Sequence, residues 1–256
     1  MTMNDQSKST VKHDDLFASP LGNVPRFVFD QAVVDVFPDM IQRSVPGYQT
    51  IINLCGELAA RFVQADSNCY DLGCSLGASS LAIRQQIDQP GVSIIAVDNS
   101  AAMLERCQSL LYSHIDNKGS TTPVQLLEAD ICDIEISNAS LVVMNFTLQF
   151  IPLEKRRALL EKIYAGLVPG GCLVISEKLL FEPEPLNHLL SELHHQFKSA
   201  QGYSDLEISQ KRDSIENVLI PETLDSHINR LKACGFESAS PWFQCFNFAS
   251  LVAIKP

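Results

Sequence analysis

A doubly wound α/β fold built on a mostly parallel sheet is predicted by three observations. Short apolar runs alternate with stretches of helical periodicity between residues 68 and 178, the pattern of parallel strands joined by crossover helices. The first run, Cys69-Tyr70-Asp71-Leu72, enters the glycine-bearing turn Gly73-Cys74-Ser75-Leu76-Gly77 and then a helix. The second, Ile94-Ile95-Ala96-Val97, stops on the polar pair Asp98-Asn99. Polar turns at successive strand ends mark the carboxyl edge of such a sheet, where ligands bind.

Residues 1–25 begin polar and carry Pro20-Leu21-Gly22 and Pro25, so they read as a flexible lead-in to a single domain, 26–256. From Phe27 to Ser44 the residues Phe29, Val33, Val36, Phe37, Met40 and Ile41 recur at helical spacing, interrupted by Pro38. Gly47 opens a second helical pattern through Ile51, Ile52, Leu54, Leu58 and Phe62. These two helices, within 27–65, are placed to cover a ligand. Strands are expected at 68–72, 92–97, 124–129, 140–146 and 172–177, and helices at 77–88, 100–114 and 154–167. Pro169-Gly170-Gly171 separates the last of these helices from the fifth strand, since neither residue type continues a helix.

The stretch 179–235 reads as an added helical segment with no strand. Leu186, Leu189, Leu190, Leu193 and Phe197 form a helical stripe, Ser204-Asp205-Leu206-Glu207 is a capping box, and Pro221 suits a first helical turn. Segments 237–244 and 246–254 read as a hairpin that gives a seven-stranded sheet an antiparallel last strand.

Of the 256 residues 46% are hydrophobic and 19% charged, enough for a substantial core. No apolar run approaches the roughly 18 residues of a membrane span. Met1–Asp15 lacks the apolar centre of a signal peptide, so the expectation is a cytoplasmic protein without membrane contact. The eight cysteines form no Cys-x-x-Cys pair and no zinc spacing, and read as reduced, small hydrophobes. A net charge of -11 disfavours direct nucleic-acid binding, which rests on basic surface, and leaves a small-molecule substrate as the expected partner.

The turn from Asp71 to Gly77 reads Asp-x-Gly-x-Ser-x-Gly, without the Gly-x-Gly-x-x-Gly cradle for a pyrophosphate. A nucleoside with no phosphate fits better, and S-adenosyl-L-methionine is the commonest such ligand. Asp98 suits a ribose diol. Asp130 can accept from the exocyclic amine of adenine while Ile131 packs its ring, and Asn145 can hold the amino-acid end. Taken singly, each is a plain cap or turn residue. Their agreement at successive strand ends is what favours a site. His188, His194 and His195 call for a metal check; His188 and Glu192 share a helical face, but no third ligand is evident, so no metal is expected.

Longer stretches are more specific. Val36-Phe37-Pro38-Asp39-Met40-Ile41-Gln42-Arg43-Ser44-Val45-Pro46-Gly47-Tyr48, Tyr70 to Gly77, Asn145-Phe146-Thr147-Leu148-Gln149-Phe150, Glu207-Ile208-Ser209-Gln210-Lys211-Arg212 and Trp242 to Phe248 closely resemble the bacterial carboxy-S-adenosyl-L-methionine synthases. The likeness spans residues 25–256. It implies a Rossmann-like class I methyltransferase fold that transfers no methyl group. It implies carboxylation of the methyl carbon of S-adenosyl-L-methionine at the expense of prephenate, with release of phenylpyruvate. The product would then serve a second enzyme that modifies the wobble uridine of certain tRNAs. A homodimer is implied as well, with 179–235 as its natural contact.

The same resemblance carries cofactor contacts onto Tyr48, Gly73, Cys74, Ser75, Asp98, Asn99, Asp130, Ile131, Asn145 and Arg212. Arg212 is the candidate catalytic residue, because a guanidinium can grip a carboxylate by two parallel hydrogen bonds. The plain alternative is a solvated arginine paired with Glu207 or Glu216. Arg43 is a second candidate for a prephenate carboxylate, with a structural role preferred. Tyr48 would close over the cofactor or staple its own helix to the sheet, and the aromatics at 242–248 would serve a core or a dimer surface. A sulfonium acidifies its methyl protons, and hydroxide leaving prephenate can take one, so proximity and exclusion of water are the main demands on the protein. Two other readings are a conventional methyltransferase acting on a small molecule and a non-catalytic cofactor-binding subunit.

Overall fold

The computed structural model describes residues 12–113, 122–216 and 218–256. At its centre a seven-stranded sheet runs in the order β3-β2-β1-β4-β5-β7-β6. The strands are β1 (Asn68–Leu72), β2 (Ser93–Asp98), β3 (Val124–Glu128), β4 (Ala139–Asn145), β5 (Leu167–Lys178), β6 (Ser238–Cys245) and β7 (Phe248–Ile254). The first five are parallel, and β7 runs antiparallel to both of its neighbours. Because β1 to β5 are parallel their carboxyl ends lie along one edge, and the strand order switches direction between β1 and β4.

The helices are α1 (Gln31–Ser44), α2 (Tyr48–Phe62), α3 (Ala78–Arg84), α4 (Ala101–Ser113), α5 (Leu153–Gly166), α6 (Glu184–Ala200), α7 (Asp205–Ile215) and α8 (Leu224–Ala233). Residue 114, where α4 was expected to end, lies outside the described residues. Strand β4 is buried on both faces along almost its whole length, as the run Leu141-Val142-Val143-Met144 requires. One side of the sheet packs Leu159, Leu160 and Ile163 of α5 with Leu231 of α8. The other packs Ile51, Cys55 and Ala59 of α2 with Ile83 of α3.

Three local expectations are corrected. Pro38 does not interrupt α1, which runs through it, because Asp30 caps the start (Val33 N–H to Oδ1, 3.1 Å) and Val33, Val36, Phe37 and Met40 bury one continuous face. Strand β5 starts at Leu167, five residues earlier than expected. Pro169-Gly170-Gly171 is a bulge inside it, with Gly170 at φ +75° donating to Lys255 O (2.9 Å). Pro221 does not open α8; Thr223 caps it by accepting from Ser226 N (3.2 Å). The leucine stripe of α6 is exposed at Leu186 and Leu189, at 40% and 49%, while His194 and Lys198 are buried.

Residues 12–25, read as part of a loose lead-in, lie against α7 and α1. Gln210 donates to Phe17 O and Ser19 O (2.9 Å each) and accepts from Leu21 N (2.7 Å). Asp14, 1% exposed, hydrogen-bonds the Tyr203 hydroxyl and sits 3.6 Å from Lys211 Nζ. Residues 1–11 lie outside the described residues.

One buried cation ties the helical segment to the sheet. Arg156, fully buried on α5, donates to Ile151 O (2.9 Å), Gln149 O (3.1 Å), Ile220 O (2.8 Å) and Glu222 Oε2 (2.5 Å). Glu222 also holds Arg230 of α8. Breaking such a network orphans its partners. We therefore expect Arg156→Ala to cost about 3 kcal/mol and lower Tm by on the order of 10 °C, measured by thermal circular dichroism. A fall of less than about 2 °C would show the network to be dispensable.

Candidate active site

A cavity of about 1190 Å³ opens between the carboxyl edge of the sheet and the helices α1, α6 and α7. Tyr48, Gly73, Cys74, Ser75, Asp98, Asn99, Asp130, Ile131, Asn145 and Arg212 all line it. The fold thus brings together the ten residues onto which the resemblance carries cofactor contacts.

The turn after β1 is set by Asp71. Its buried carboxylate accepts from Ser80 N (3.0 Å) and Ser80 Oγ (2.7 Å), so it caps α3 where the N-cap residue, Gly77, has no side chain to do so. Burial pushes this carboxyl up to about 6, against the two bonds from Ser80. Gly73 takes φ +78°, and a Cβ there would lie 2.3 Å from Thr147 Oγ1. Ser75 adopts φ +48°, an uncommon conformation for a residue with a side chain.

Ser75 N then donates to Asp98 Oδ2, and Ser100 N to Asp98 Oδ1, at 2.9 Å each. Each carboxylate oxygen keeps one acceptor site, which is what a ribose diol needs. Burial raises the pKa of Asp98 while the backbone donors lower it. Farther along the edge, Asp130 accepts from Cys132 N (2.8 Å) beside the buried Ile131. These residues fit an adenosine. The Asn145 amide, expected to meet the amino-acid end, lines the cavity and is held in place by partners within the protein. It donates to Ser79 Oγ (2.9 Å) and Cys55 Sγ (3.5 Å) and accepts from Ser176 Oγ (2.5 Å). Tyr48 packs 6.3 Å from Phe146, whose own φ of +59° is held by its N–H bond to Ser176 O (2.6 Å).

The opposite wall carries basic side chains; the sequence singled out Arg212 for an anion and His194 and His195 only as metal candidates, and its lysines were missed. Lys178 ends β5, His194, His195 and Lys198 come from α6, and Lys211 and Arg212 from α7. A lysine at the polar end of β5, two residues removed from its apolar run, was the available signal for Lys178; nothing local marks Lys198. His194 donates Nε2–H to Ser44 O (2.8 Å), and burial lowers its pKa to about 3, so the ring is neutral. Lys198 is 7% exposed, and neither its ammonium nor that of Lys178 has a hydrogen bond or ion pair among the described residues. Burial, with Lys211, Lys178 and Arg212 nearby, lowers Lys198 to about 7; Asp14 opposes the shift. Burial likewise lowers Lys211 to about 8.

Arg212 is 57% exposed on its side chain and lies 3.6 Å from Asp213, not against Glu207, which completes the cap at Ser204, nor against Glu216. Arg43 is structural. It donates to Gln201 O (2.8 Å) and Asp39 Oδ2 (3.0 Å) and lies 3.8 Å over the Tyr203 ring, away from the cavity wall. His188 and Glu192 meet at 3.5 Å on an exposed face, and no group of three metal-ligating side chains occurs among the described residues. No helix of the described residues is long and apolar enough to cross a membrane.

A lysine with a lowered pKa costs stability at every pH below its unfolded value, in full once pH falls below the folded one. Between its folded value near 7 and its unfolded value near 10.4 the unfolded chain binds the extra proton, so this cost shrinks as pH rises. Lys198→Met should therefore raise Tm, and by more at pH 6 than at pH 9. The difference is on the order of 2–3 kcal/mol, several degrees in a scanning calorimeter. An equal gain at both values would mean that Lys198 is solvated.

Residues 69–171 match a family described as a methyltransferase domain. The chain is 59% identical to the carboxy-S-adenosyl-L-methionine synthase of Photobacterium profundum, covering 94% of this chain and 98% of that one. It is 58% identical to the protein of that name from Citrifermentans bemidjiense, covering 96% and 100%. Among solved structures, an O-methyltransferase family protein from Burkholderia thailandensis matches with a TM-score of 0.61 at 17% identity, covering 89% of this chain and 60% of that one. Human N-acetylserotonin methyltransferase, solved with S-adenosyl-L-methionine, matches with a TM-score of 0.56 at 18% identity, covering 88% and 55%. At these identities the structures establish a shared Rossmann-like class I methyltransferase fold.

Proposed function

The chain belongs to the carboxy-S-adenosyl-L-methionine synthase family, and from that premise we propose that it converts S-adenosyl-L-methionine and prephenate into carboxy-S-adenosyl-L-methionine, phenylpyruvate and water. The observation that carries the proposal is a single cavity with a nucleoside-binding edge on one side and a cationic wall on the other. In this reading Asp98 takes the ribose diol, and Asp130 and Ile131 hold adenine. The Gly73-Cys74-Ser75 turn and Asn99 shape the cradle, while Asn145 and Tyr48 close it at the methionine end.

The chemistry balances without a protein base. Prephenate loses its ring carboxylate as carbon dioxide and its ring hydroxyl as hydroxide, which makes the ring aromatic. Hydroxide takes a proton from the sulfonium methyl, giving water, and the carbon left behind bonds to carbon dioxide. The protein holds both substrates in one geometry and keeps bulk water from quenching the carbanion. Arg212 meets the new carboxylate with a charge-assisted pair of hydrogen bonds.

The product would act as donor for wobble-uridine modification of tRNA by a second enzyme, in the cytoplasm. At a net charge of -11 this chain itself would not bind the nucleic acid. A homodimer is proposed through the helical segment, where Leu186 and Leu189 leave an apolar face uncovered.

Mass spectrometry of the purified protein with S-adenosyl-L-methionine, with and without prephenate, tests the proposal. A prephenate-dependent product heavier by one carbon dioxide, formed with phenylpyruvate, is expected. Unchanged cofactor, or only S-adenosylhomocysteine when acceptors are added, would leave a conventional small-molecule methyltransferase. Arg212→Ala should lower kcat/KM by on the order of 10–100-fold, the worth of a hydrogen bond to a charged group. Asp98→Ala should instead weaken S-adenosyl-L-methionine binding by about tenfold or more, measured by calorimetry.

A further inference from the structure

The cavity exceeds the roughly 300–1,000 Å³ of a typical small-molecule site, and its two ends differ in charge. Along the carboxyl edge the order is Asp98 on β2, the Gly73 turn on β1, Asn145 on β4 and Lys178 on β5. Neighbouring strands lie about 4.8 Å apart, so Lys178 stands about 14 Å from Asp98 and one strand beyond Asn145. A nucleoside bound at Asp98 with its methionine end over β1 and β4 therefore leaves the β5 end to another molecule. That end lies under α6 and α7, against Lys178 and Lys198, whose ammonium groups have no anionic partner among the described residues.

Unpaired ammonium groups are costly in a cavity wall, and a carboxylate entering between them removes the cost. Lys211 is already engaged, with Asp14 at 3.6 Å and Ser44 Oγ at 3.5 Å, and Arg212 is half-exposed beside Asp213. Lys178 and Lys198 are thus the cations left to bind. The acids on the same wall, Glu184 and Glu192 of α6 and Glu216 just after α7, make no hydrogen bond or ion pair with either lysine.

The chemistry decides which carboxylate they take. A carboxylate leaving as carbon dioxide passes its electron pair to the ring, and an ammonium bound to it would stabilise the starting state more than the transition state. Binding energy is best drawn from a group that does not react. We infer that Lys178 and Lys198 anchor the α-keto acid end of the second substrate, carboxylate and neighbouring carbonyl oxygen together, and leave its ring carboxylate facing the sulfonium. The inference rests on the reaction proposed above. It makes both lysines positioning residues for that reaction, and it assigns specificity for an α-keto acid to the β5 end of the cavity.

Phenylpyruvate keeps the α-keto acid end and lacks the ring carboxylate, so it separates the two ends of the substrate. Lys178→Met and Lys198→Met would be assayed for the KM of prephenate, for product inhibition by phenylpyruvate, and for S-adenosyl-L-methionine binding by calorimetry. The expected result in each variant is a 10–100-fold rise in the KM for prephenate with a parallel rise in the inhibition constant of phenylpyruvate, a smaller change in kcat, and cofactor affinity within about twofold. A raised KM with unchanged phenylpyruvate inhibition would overturn the assignment and move the lysines to the ring carboxylate. Weakened cofactor binding would place them at the methionine end, and an unmoved KM would remove them from the site. Should a Met variant fail to fold, the Gln variant at the same position is read by the same criteria. Wild-type protein inert toward prephenate would sink the underlying reaction; active wild type with unmoved variants would sink only the lysine assignment.

Discussion

Asp71 is the residue on which the geometry of the site depends. Its carboxylate lies inside the fold at the end of β1 and caps α3 through both the N–H and the hydroxyl of Ser80. A fully buried carboxylate without such donors would protonate or unfold its surroundings. With them it fixes the angle between strand and helix, and the chain between must turn within Gly73 to Gly77. That turn needs positive φ at Gly73, Ser75 and Gly77. It delivers the Ser75 N–H to Asp98, so one buried acid orients the next.

From there the cavity is ordered by the sheet. Parallel strands spaced at a fixed distance set out acceptors on β2 and after β3, a backbone turn on β1, a locked amide on β4 and a cation on β5. Acidic and cationic ends face one cavity, which explains how a chain of net charge -11 can offer an anion a favourable site. Total charge governs solubility and long-range steering; the potential inside a cleft is set by the few groups that line it.

The helical segment supplies the cationic wall and inverts the usual logic of an amphipathic helix. Helix α6 directs Asn187, Ser191, His194 and Lys198 at the cavity and leaves Leu186 and Leu189 to solvent in the single chain. Its seat is polar as well as apolar. Arg156 and Glu222 join α5, the start of α8 and the short 3₁₀ turn Leu148–Phe150. Glu177, fully buried and pushed up to about 8, accepts from Leu148 N–H in the same region. The segment is therefore held as one piece with the strand end that carries Lys178.

Periodicity and turn chemistry determined most of this protein. Alternating apolar runs predict the strands and crossover helices, Asp-x-Gly-x-Ser-x-Gly predicts a glycine-bearing turn into a helix, and Asp98, Asp130 and Asn145 are legible because strand ends in such folds converge on one edge. Boundaries failed where a local rule met a tertiary override: Pro38 inside a helix anchored by its buried face, and Gly170 inside a strand completed by Lys255. What only the tertiary structure decided is which face of α6 turns inward. A stripe of leucines and a stripe of His and Lys are both valid helical faces, and the sequence contains no term for the cavity that the second one serves. Lys178 and Lys198 are twenty residues apart on different elements, and the geometry that makes them neighbours on one wall arises from the packing of α6 over the end of β5.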